Sequence, residues 1–509
     1  MAEPTGRWVL LATVLGSSIA MITGTVVNVA LPALADDLGA GVAERQWVVT
    51  SYLLTLSALI LLGGSLGDRY GRRRVFLVGV GWFAVTSLLC AVAPTLPLLI
   101  AARTCQGIGA ALLTPGSLAI IQSTFAPEDR ARAIGAWSAL GSIGAALGPL
   151  LGGVLIDWLS WRWVFLITVP LAVVVVVVGV RHVPESRDRT ITGSPDVLGA
   201  LTSVVGLAGL TFAVIEAPGR GVGDPLVQAA ALVGLVASAA FVVVERRVRS
   251  PMLPASIFAS RQFTYANVLC LIVYAALGGV FFLLVQHLQI VLGWSATAAG
   301  AAALPVTVLM LVLSERAGAW AQRSGPRVPL TVGPVAIGAG MALMATIGAD
   351  DGYLTAVLPA VVVFGLGLSA TVAPVTATVL AAADERLSGI ASGVNNAVSR
   401  VAQLLAVALL PVLAGLSGTA GGQVGAATFA AGFSRAMLMA AALAGAGAVL
   451  AWVTIRDDVL EAGGGPVEDA GADGPAAPGD AAPGDAAARW HCAVESAPLT
   501  PRRGDCADG

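Results

Sequence analysis

Several charged and polar side chains lie within long apolar stretches of the sequence, where they are costly unless they have a task. Arg103 is the clearest example, in the apolar-flanked run Arg103-Thr104-Cys105-Gln106-Gly107. A cation at membrane depth costs about 3 kcal/mol even on lenient insertion scales, so it should face the protein interior and have a partner. We therefore expect a functional role for Arg103; the alternative is a side chain that reaches back to the membrane surface.

Arg400 lies in another apolar stretch and is a similar candidate. Amides in such stretches can either line a cavity or join neighbouring helices by hydrogen bonds, and the sequence leaves both interpretations open. These amides are Asn28, Gln106, Gln289, Asn395 and Asn396.

Carboxylates are missing from the middle of every apolar stretch. Proton transfer inside an apolar stretch needs a titratable group, and a carboxylate with a pKa raised by burial is the usual choice. Glu216, at the end of one stretch, is the best remaining carboxylate, and His287 is a second candidate. For both, a position at the lipid–water boundary is the alternative.

A glycine- and arginine-rich segment occurs twice, and four of its ten positions are identical at an offset of 254 residues. The glycines of the first copy permit close backbone approach and a sharp turn at Gly71, and Asp68 can pair with Arg72. The copies are Gly64-Ser65-Leu66-Gly67-Asp68-Arg69-Tyr70-Gly71-Arg72-Arg73 and Gly318-Ala319-Trp320-Ala321-Gln322-Arg323-Ser324-Gly325-Pro326-Arg327.

Glycines recur every four positions in a third stretch, at Gly144, Gly148 and Gly152, with Pro149 and Gly153 beside them. They form one smooth helix face, which permits close packing in lipid, where hydrophobic attraction between helices is largely absent. Pro149 can bend that helix. Tight packing follows from the spacing alone, and a movable helix contact is the functional interpretation.

Membrane helices are the elements that must position these residues. Of the 509 residues 57% are hydrophobic and only 11% charged, with a mean hydropathy of +0.86, whereas globular chains are about 25% charged. This composition excludes a soluble enzyme and a nucleic-acid binder. Charge-free windows of about 20 residues predict an all-α polytopic fold with fourteen spans, at 8–31, 46–67, 75–93, 98–122, 133–156, 163–180, 197–215, 226–244, 265–290, 297–314, 328–348, 353–378, 389–415 and 435–455.

Arginine placement predicts the orientation of these spans. Alternate connections hold seventeen arginines against four, with Arg435 at the start of span fourteen counted among the four. Because cytoplasmic loops are enriched in basic residues, both termini should face the cytoplasm. We expect a multi-pass protein of the cytoplasmic membrane.

The repeated segment maps span two onto span ten and so predicts four regions. A six-helix lobe covers 1–183, a two-helix insertion 184–261 and a second six-helix lobe 262–455. The acidic Ala/Gly/Pro-rich tail, 456–509, lacks the apolar residues needed to offset its ordering entropy, so it should be disordered and cytoplasmic.

This arrangement resembles the major facilitator superfamily, in which two six-helix repeats handle substrate at their interface. The segment 64–73 resembles the superfamily's signature loop between its second and third helices, and 144–153 resembles its antiporter motif. Three further runs are similar to motifs of the fourteen-helix drug:proton antiporters: Thr25-Val26-Val27-Asn28-Val29-Ala30-Leu31-Pro32, Trp161-Arg162-Trp163-Val164-Phe165 and Ser392-Gly393-Val394-Asn395-Asn396.

The resemblance implies that the Asp68 loop locks the two halves together when the transporter faces outward, although a loop that only fixes orientation is the alternative. It also implies a part for Arg103 in proton coupling. One departure is Thr23, which stands where these antiporters usually carry an Asp, two residues before Thr25. The loss of that carboxylate weakens the case for a cationic substrate.

The leading hypothesis is a monomeric secondary transporter that exports small, fairly apolar compounds (drugs, antibiotics or metabolites) by alternating access, in exchange for protons. An uptake symporter or an uncoupled facilitator of the same fold is the first alternative, and a membrane enzyme or a non-transporting sensor the second. The three histidines are unpaired and no phosphate-binding loop is present, so we expect no metal site, no cofactor and no ATP-driven pumping.

Overall fold

A computed structural model describes residues 4–188, 194–248, 251–383, 387–416 and 425–462, and this part of the chain contains fourteen long helices. Thirteen of them are long and apolar enough to cross a membrane, and the fourteenth, α5, has 32 residues. In chain order they are α1 Pro4–Leu38, α2 Val42–Tyr70, α3 Arg72–Val92, α4 Leu96–Thr124, α5 Pro127–Trp158, α6 Trp163–His182, α7 Val197–Arg220, α8 Pro225–Arg247, α9 Arg261–Ile290, α10 Ala296–Ser324, α11 Arg327–Met344, α12 Tyr353–Ala381, α13 Ser388–Leu413 and α14 Ala426–Thr454.

The fourteen helices confirm the predicted fold, but several extend beyond the charge-free windows. A helix continues past the hydrocarbon core wherever its backbone hydrogen bonds continue, even though its ends then carry charged residues. Glu315 and Arg435, which flank two of the windows, therefore lie inside the helices α10 and α14.

The same helix pairings occur in two sets of six helices. In the first set α2 and α3 pack on α4, and α1 packs on α5 and α6. Eight helices later, α10 and α11 pack on α12, and α9 packs on α13 and α14. We call α1–α6 the first lobe and α9–α14 the second lobe.

The other two helices, α7 and α8, pack on each other, and α7 also contacts α2 and α13. The predicted boundaries of the four regions stay predictions, and most of the predicted tail lies outside the described residues.

The main helix pairs that join the lobes are α2 with α13, α5 with α10, and α1 with α9, and α1 also touches α10. The first two pairs are equivalent, because a shift of eight helices converts α2 into α10 and α5 into α13. We call the end of the bundle where α1 ends and α2 begins the far face, and the opposite end the near face.

Candidate functional site

The two lobes meet at the far face through a carboxylate that caps a helix of the opposite lobe. Asp157, at the end of α5, accepts hydrogen bonds from the backbone N–H groups of Ala296 (3.1 Å) and Thr297 (2.8 Å), at the start of α10. These N–H groups have no partner within their own helix, and the helix dipole favours negative charge at this end. Asp157 thus holds α5 and α10 together across the lobe boundary.

Two glycines bring the same helices into backbone contact. A Cβ at Gly153 would collide with the backbone of Ala296 and Thr297, and a Cβ at Gly300 would collide with the backbone of Pro149. The α5–α10 crossing therefore requires glycine on both helices. The sequence singled out Gly153 and Pro149, whereas Gly300 had no repeat or motif to mark it.

Further hydrogen bonds join the lobes at the far face. Arg45 on α2 donates to Gln286 on α9 (3.3 Å), and Gln289 donates to the carbonyl of Val29 on α1 (3.1 Å). Gln46 donates to the carbonyls of Val407 and Ala408 on α13, at 2.8 and 3.0 Å. A cavity of about 390 Å³ lies beside these contacts and is lined by Asp36, Arg45, Asp157 and Gln289 among others. The far face is therefore closed by a small set of polar contacts.

The other glycines of the α5 motif face α1, within the first lobe. A Cβ at Gly148 would strike the Thr25 hydroxyl, and a Cβ at Gly152 would strike Val26. A Cβ at Gly144 would lie 2.9 Å from the Ser18 hydroxyl. The stripe thus packs α5 tightly on α1, as its spacing predicts. Its role as a movable contact stays a prediction.

The near-face loop between α2 and α3 turns at Gly71. Gly71 has φ +113°, a conformation that other residues rarely adopt, and a Cβ there would meet the Glu185 carboxylate. Arg72 pairs with Asp68 at 2.8 Å, as predicted from the sequence. Glu185 accepts from the backbone N–H groups of Arg73 (3.0 Å) and Arg74 (3.2 Å), so it caps α3.

The loop is also bonded to the segment that follows α6. The backbone N–H of Arg72 donates to the Ser186 carbonyl (2.8 Å), and that of Asp188 donates to the Asp68 carbonyl (2.9 Å). Arg73 donates from its guanidinium to the Val183 carbonyl (3.0 Å). These contacts lie within the first half of the chain, and the predicted locking of the two halves by this loop stays a prediction.

Arg103 is enclosed in the first lobe, with 1% of its surface exposed. Its Nε donates to the Val48 carbonyl (3.0 Å), and its Nη1 donates to the Gln106 side chain (2.6 Å). The guanidinium also lies 4.3 Å from the centre of the Tyr52 ring, a cation–π contact. Within the described part of the chain no carboxylate pairs with Arg103. Its partners are therefore neutral, and its side chain is enclosed by the protein.

A short chain of polar groups continues from Arg103 through Gln106. The Gln106 amide donates to the Ser87 hydroxyl on α3 (2.7 Å), so one amide links α4 to α3 while it orients the guanidinium. Both Gln106 and Ser87 are fully buried. Gln106 thus positions Arg103 instead of lining an open cavity in this conformation.

The candidates on α1 divide into two groups. Thr23 is fully buried, and its hydroxyl donates to the Ile19 carbonyl of its own helix (2.8 Å). Thr25 is half-buried and faces Gly148. Asn28 is buried, and its Oδ1 has no hydrogen-bond partner among the described residues. Position 23 is therefore closed to water in this conformation.

The Glu216 carboxylate has two partners near the far face, an indole N–H and a guanidinium. It accepts from Trp47 on α2 (2.9 Å) and pairs with Arg220 on its own helix (3.0 Å). The first contact ties α7 to the first lobe. Its role in coupling stays a prediction, as it does for His287.

His287 is fully buried in the second lobe. Its ring stacks on Phe433 at 4.0 Å, and its Nε2 lies 3.1 Å from the Ile347 carbonyl. Its Nδ1 is buried without a hydrogen-bond partner in the described part of the chain.

The polar candidates of α13 face different neighbours. Asn395 is buried and donates to Cys270 on α9 (3.2 Å), with Asn267 at 3.5 Å, so it joins two helices of one lobe. Asn396 and Arg400 are half-buried. Arg400 is seven residues before Val407, whose carbonyl accepts from Gln46 on α2, so it lies on the face of α13 that is turned towards the first lobe.

Asp157, Glu185 and Gly300 are among the contact residues that sequence reasoning missed. Asp157 and Glu185 each stand at or just after the C-terminal end of a helix, where the helix dipole does not favour a carboxylate, and both cap a different helix. Their partners are far away in sequence, 139 or more residues for Asp157 and 111 or more for Glu185. Only the packing of the helices identifies those partners.

Comparisons with known proteins agree with this architecture. Residues 13–407 match the family model of the Major Facilitator Superfamily. The puromycin resistance protein of Streptomyces alboniger is 36% identical over 402 residues, covering 78% of this chain and 80% of that protein. The tetracenomycin C resistance and export protein of Streptomyces glaucescens is 34% identical, covering 76% of this chain and 72% of that protein. The multidrug efflux pump LfrA of Mycolicibacterium smegmatis is 35% identical, covering 77% of this chain and 78% of that protein.

Solved structures show the same fold at low sequence identity. A D-xylose–proton symporter superposes with a TM-score of 0.64 at 15% identity, over 89% of this chain and 98% of the symporter. A bacterial homologue of the lysosomal transporter Spinster gives 0.64 at 17% identity, over 92% of this chain and all of that one. The sequence motifs, the repeated helix pairings and these matches lead to one conclusion: the chain is a multi-pass membrane transporter that belongs to the major facilitator superfamily.

Proposed function

We propose that this transporter exports small, fairly apolar compounds by alternating access, in exchange for protons. The observation that carries the proposal is the closed far face, where two equivalent helix crossings meet through a few polar contacts and glycine approaches. Such contacts can part without unpacking either lobe, which is what rocking of the lobes requires. The printed names of relatives, a resistance and export protein and an efflux pump, support the outward direction.

The near face is proposed to be cytoplasmic and the far face external. The arginine-rich loops at 69–74 and 181–187 support this orientation, since basic loops stay on the cytoplasmic side. We further propose the lobes as residues 1–183 and 262–455, with 184–261 inserted between them and 456–509 as a cytoplasmic tail. A single chain supplies both lobes, so we propose a monomer as the working unit.

Transport in inside-out membrane vesicles tests the proposal. Puromycin and tetracenomycin C are the first probes, because the names of two relatives point to them. Accumulation of a probe driven by an imposed proton gradient, with a matching proton leak, is the expected result. Accumulation that survives collapse of the gradient would remove proton coupling, and accumulation only in right-side-out vesicles would indicate an uptake symporter.

Thr23→Asp tests the coupling path in the same assay. Position 23 lies one helical turn after Ala20, whose carbonyl accepts from the Tyr52 hydroxyl (3.3 Å), and the Tyr52 ring contacts Arg103. A carboxylate on this side of α1 should increase the proton dependence of transport or the uptake of cationic compounds. An unchanged profile would show that this position lies outside the coupling path.

A further inference from the structure

Two buried carboxylates lie next to each other at the near face, where α7 begins and α8 ends. Asp196 immediately precedes α7 and Glu245 lies in the last turn of α8, and their residues are only 5% and 7% exposed. A Cβ at Gly199 would lie 2.6 Å from Asp196 Oδ2 and 3.0 Å from Glu245 Oε1. Both oxygens are beside one point, so they lie within the distance of about 6 Å at which like charges oppose each other's ionisation.

Each carboxylate has one oxygen bonded to the backbone and one oxygen without a partner. Asp196 Oδ1 accepts from the Gly199 N–H (2.7 Å), and Glu245 Oε2 accepts from the Leu253 N–H (2.9 Å). Asp196 Oδ2 and Glu245 Oε1, the two oxygens beside Gly199, are shielded from solvent and have no hydrogen-bond partner among the described residues. Buried polar oxygens normally have a partner, so both oxygens require a group that they can bind together.

No positive charge in the described part of the chain compensates this pair. Arg246 and Arg247, which follow Glu245 on α8, are exposed, and the ion pairs among the described residues include neither carboxylate. The segment 251–259, which Glu245 reaches through Leu253, carries no charged residue. The helices α2 and α13 also pack on α7, and none of their charged residues pairs with Asp196 or Glu245; these residues are Glu44, Arg45, Asp68, Arg69 and Arg400.

A shared proton satisfies both free oxygens. Two carboxylates at this distance in a buried site do not both ionise, because like charges repel strongly there. A divalent metal does not fit, since Ca²⁺ and Mg²⁺ take six or more oxygen ligands and these two atoms are shielded from the water that would complete the shell. The residues that the structure describes also contain no group of three or more side chains able to hold a metal ion.

The helix ends decide which carboxyl group holds the proton. The positive end of the α7 dipole and the Gly199 N–H favour ionised Asp196, which caps that helix. The C-terminal end of α8 disfavours a negative charge on Glu245. Glu245 is therefore the acid, and its Oε1 can donate to Asp196 Oδ2 while its Oε2 accepts from Leu253.

The two helices cannot separate to relieve repulsion between the carboxylates, because glycines hold them in close contact. A Cβ at Gly209 would collide with the backbone of Ala230 and Gly234, and a Cβ at Gly206 would lie 2.7 Å from the Ser238 hydroxyl. Parting α7 from α8 would lose this packing, so binding of a proton is the less costly solution.

We propose that Asp196 and Glu245 form a proton-binding site, in which protonated Glu245 donates a hydrogen bond to ionised Asp196. The proton joins the start of α7 to the end of α8 and, through the Leu253 N–H, to the segment that leads into the second lobe. Release of the proton to solvent places two negative charges together, so this junction loosens as the pH rises. The near face is proposed to be cytoplasmic, and the site would then respond to cytoplasmic pH.

Infrared difference spectroscopy of the purified full chain in lipid nanodiscs detects the proton directly. A carboxylic acid has a C=O stretching band that a carboxylate lacks. The parent spectrum minus the Glu245→Gln spectrum should show this band at neutral pH, and the band should vanish at alkaline pH. Asp196→Asn removes the neighbouring charge, so Glu245 should lose its proton at least about one pH unit lower than in the parent.

Two results of the infrared experiment would overturn the proposal. One is a difference spectrum without the acid band, and the other is an Asp196→Asn variant that loses the band at the same pH as the parent. Asp224→Asn is the matched control, because Asp224 caps α8 at its opposite end and accepts from the Leu226 N–H (2.8 Å). Its substitution should leave the band unchanged, and an equal loss of the band there would also contradict the assignment.

Thermal unfolding across a pH series is the second measurement. Glu245→Gln imitates the protonated acid, because its amide can donate to Asp196 and accept from Leu253. Its midpoint should match that of the parent at acidic pH and exceed it at alkaline pH, since only the parent gains the second charge. The same pH dependence in both proteins would overturn the proposal, and so would a midpoint that Ca²⁺ or Mg²⁺ raises in the parent alone.

Asp196→Asn carries the test if Glu245→Gln fails to fold. The pH at which the acid band disappears is then compared between the parent and Asp196→Asn, and equal values would overturn the proposal. None of these measurements involves transport, so their outcome is independent of the proposed export.

Discussion

Removal of the Asp157 carboxylate should open the far face. Asp157 accepts two backbone N–H groups of α10 from the opposite lobe, at 3.1 and 2.8 Å. Loss of an N-cap costs about 0.5–2 kcal/mol, and high salt should bring the value towards the lower end because Asp157 is exposed. Because both hydrogen bonds exist only while the lobes meet, Asp157→Ala should shift the closed–open equilibrium by about 2- to 30-fold towards opening.

The distance between two spin labels, measured by pulsed electron paramagnetic resonance, reports this shift. Labels at positions 159 and 354, both exposed at the far face and one on each lobe, should report a longer distance in Asp157→Ala than in the parent. The protein would be labelled after replacement of its five native cysteines. The distance in Asp157→Asn should lie between those of the parent and Asp157→Ala, because the amide keeps one acceptor but loses the charge.

Asp37→Ala is the matched control for this experiment. Asp37 is also a far-face carboxylate of the first lobe, but its partners, Trp161 (3.0 Å) and Arg162 (2.8 Å), belong to the same lobe. Its removal should leave the distance between the lobes unchanged. An Asp157→Ala distribution identical to the parent, or an equal shift in Asp37→Ala, would refute the role of Asp157 as a contact that closes the far face.

Two glycine substitutions test the packing of the first lobe. Gly148→Ala should lower the free energy of unfolding by about 1–3 kcal/mol, because the added Cβ collides with the Thr25 hydroxyl. Gly135→Ala is the control, because Gly135 faces open space on the same helix and its substitution should leave the free energy of unfolding unchanged. Thermal unfolding in detergent compares the two variants. Gly71→Ala should loosen the near-face loop, because the φ of +113° disfavours alanine and the Cβ meets Glu185, so limited trypsin should cleave there faster than in the parent. Equal midpoints for the α5 variants, or an unchanged cleavage rate, would contradict these assignments.

The architecture could be predicted from the sequence because lipid imposes a simple rule on helices. A charge-free window of sufficient length must span the bilayer, and the fourteen windows correspond to the fourteen long helices. Helix ends were less predictable: α10 continues nine residues beyond Glu315 and α14 begins nine before Arg435, since charged residues at the membrane surface are compatible with helix.

The site was predictable only where its residues interact within a local motif. The Asp68–Arg72 pair is four residues apart on the chain and followed from spacing. The burial of Arg103 followed from the cost of its charge, but its neutral partners did not, because Val48 and Tyr52 belong to another helix. Asp157 and Gly300 join the lobes only because α5 crosses α10. The spacing of residues in the sequence does not show which helices cross.

The central claim is that the two lobes rock against each other, so that one face opens as the other closes. The most direct test adds a near-face label pair, at positions 70 and 322, to the far-face pair in Asp157→Ala. The account predicts a reciprocal change in lipid nanodiscs: the population with the longer far-face distance has the shorter near-face distance. Lengthening of the far-face distance without a change at the near face, or lengthening of both, would contradict it.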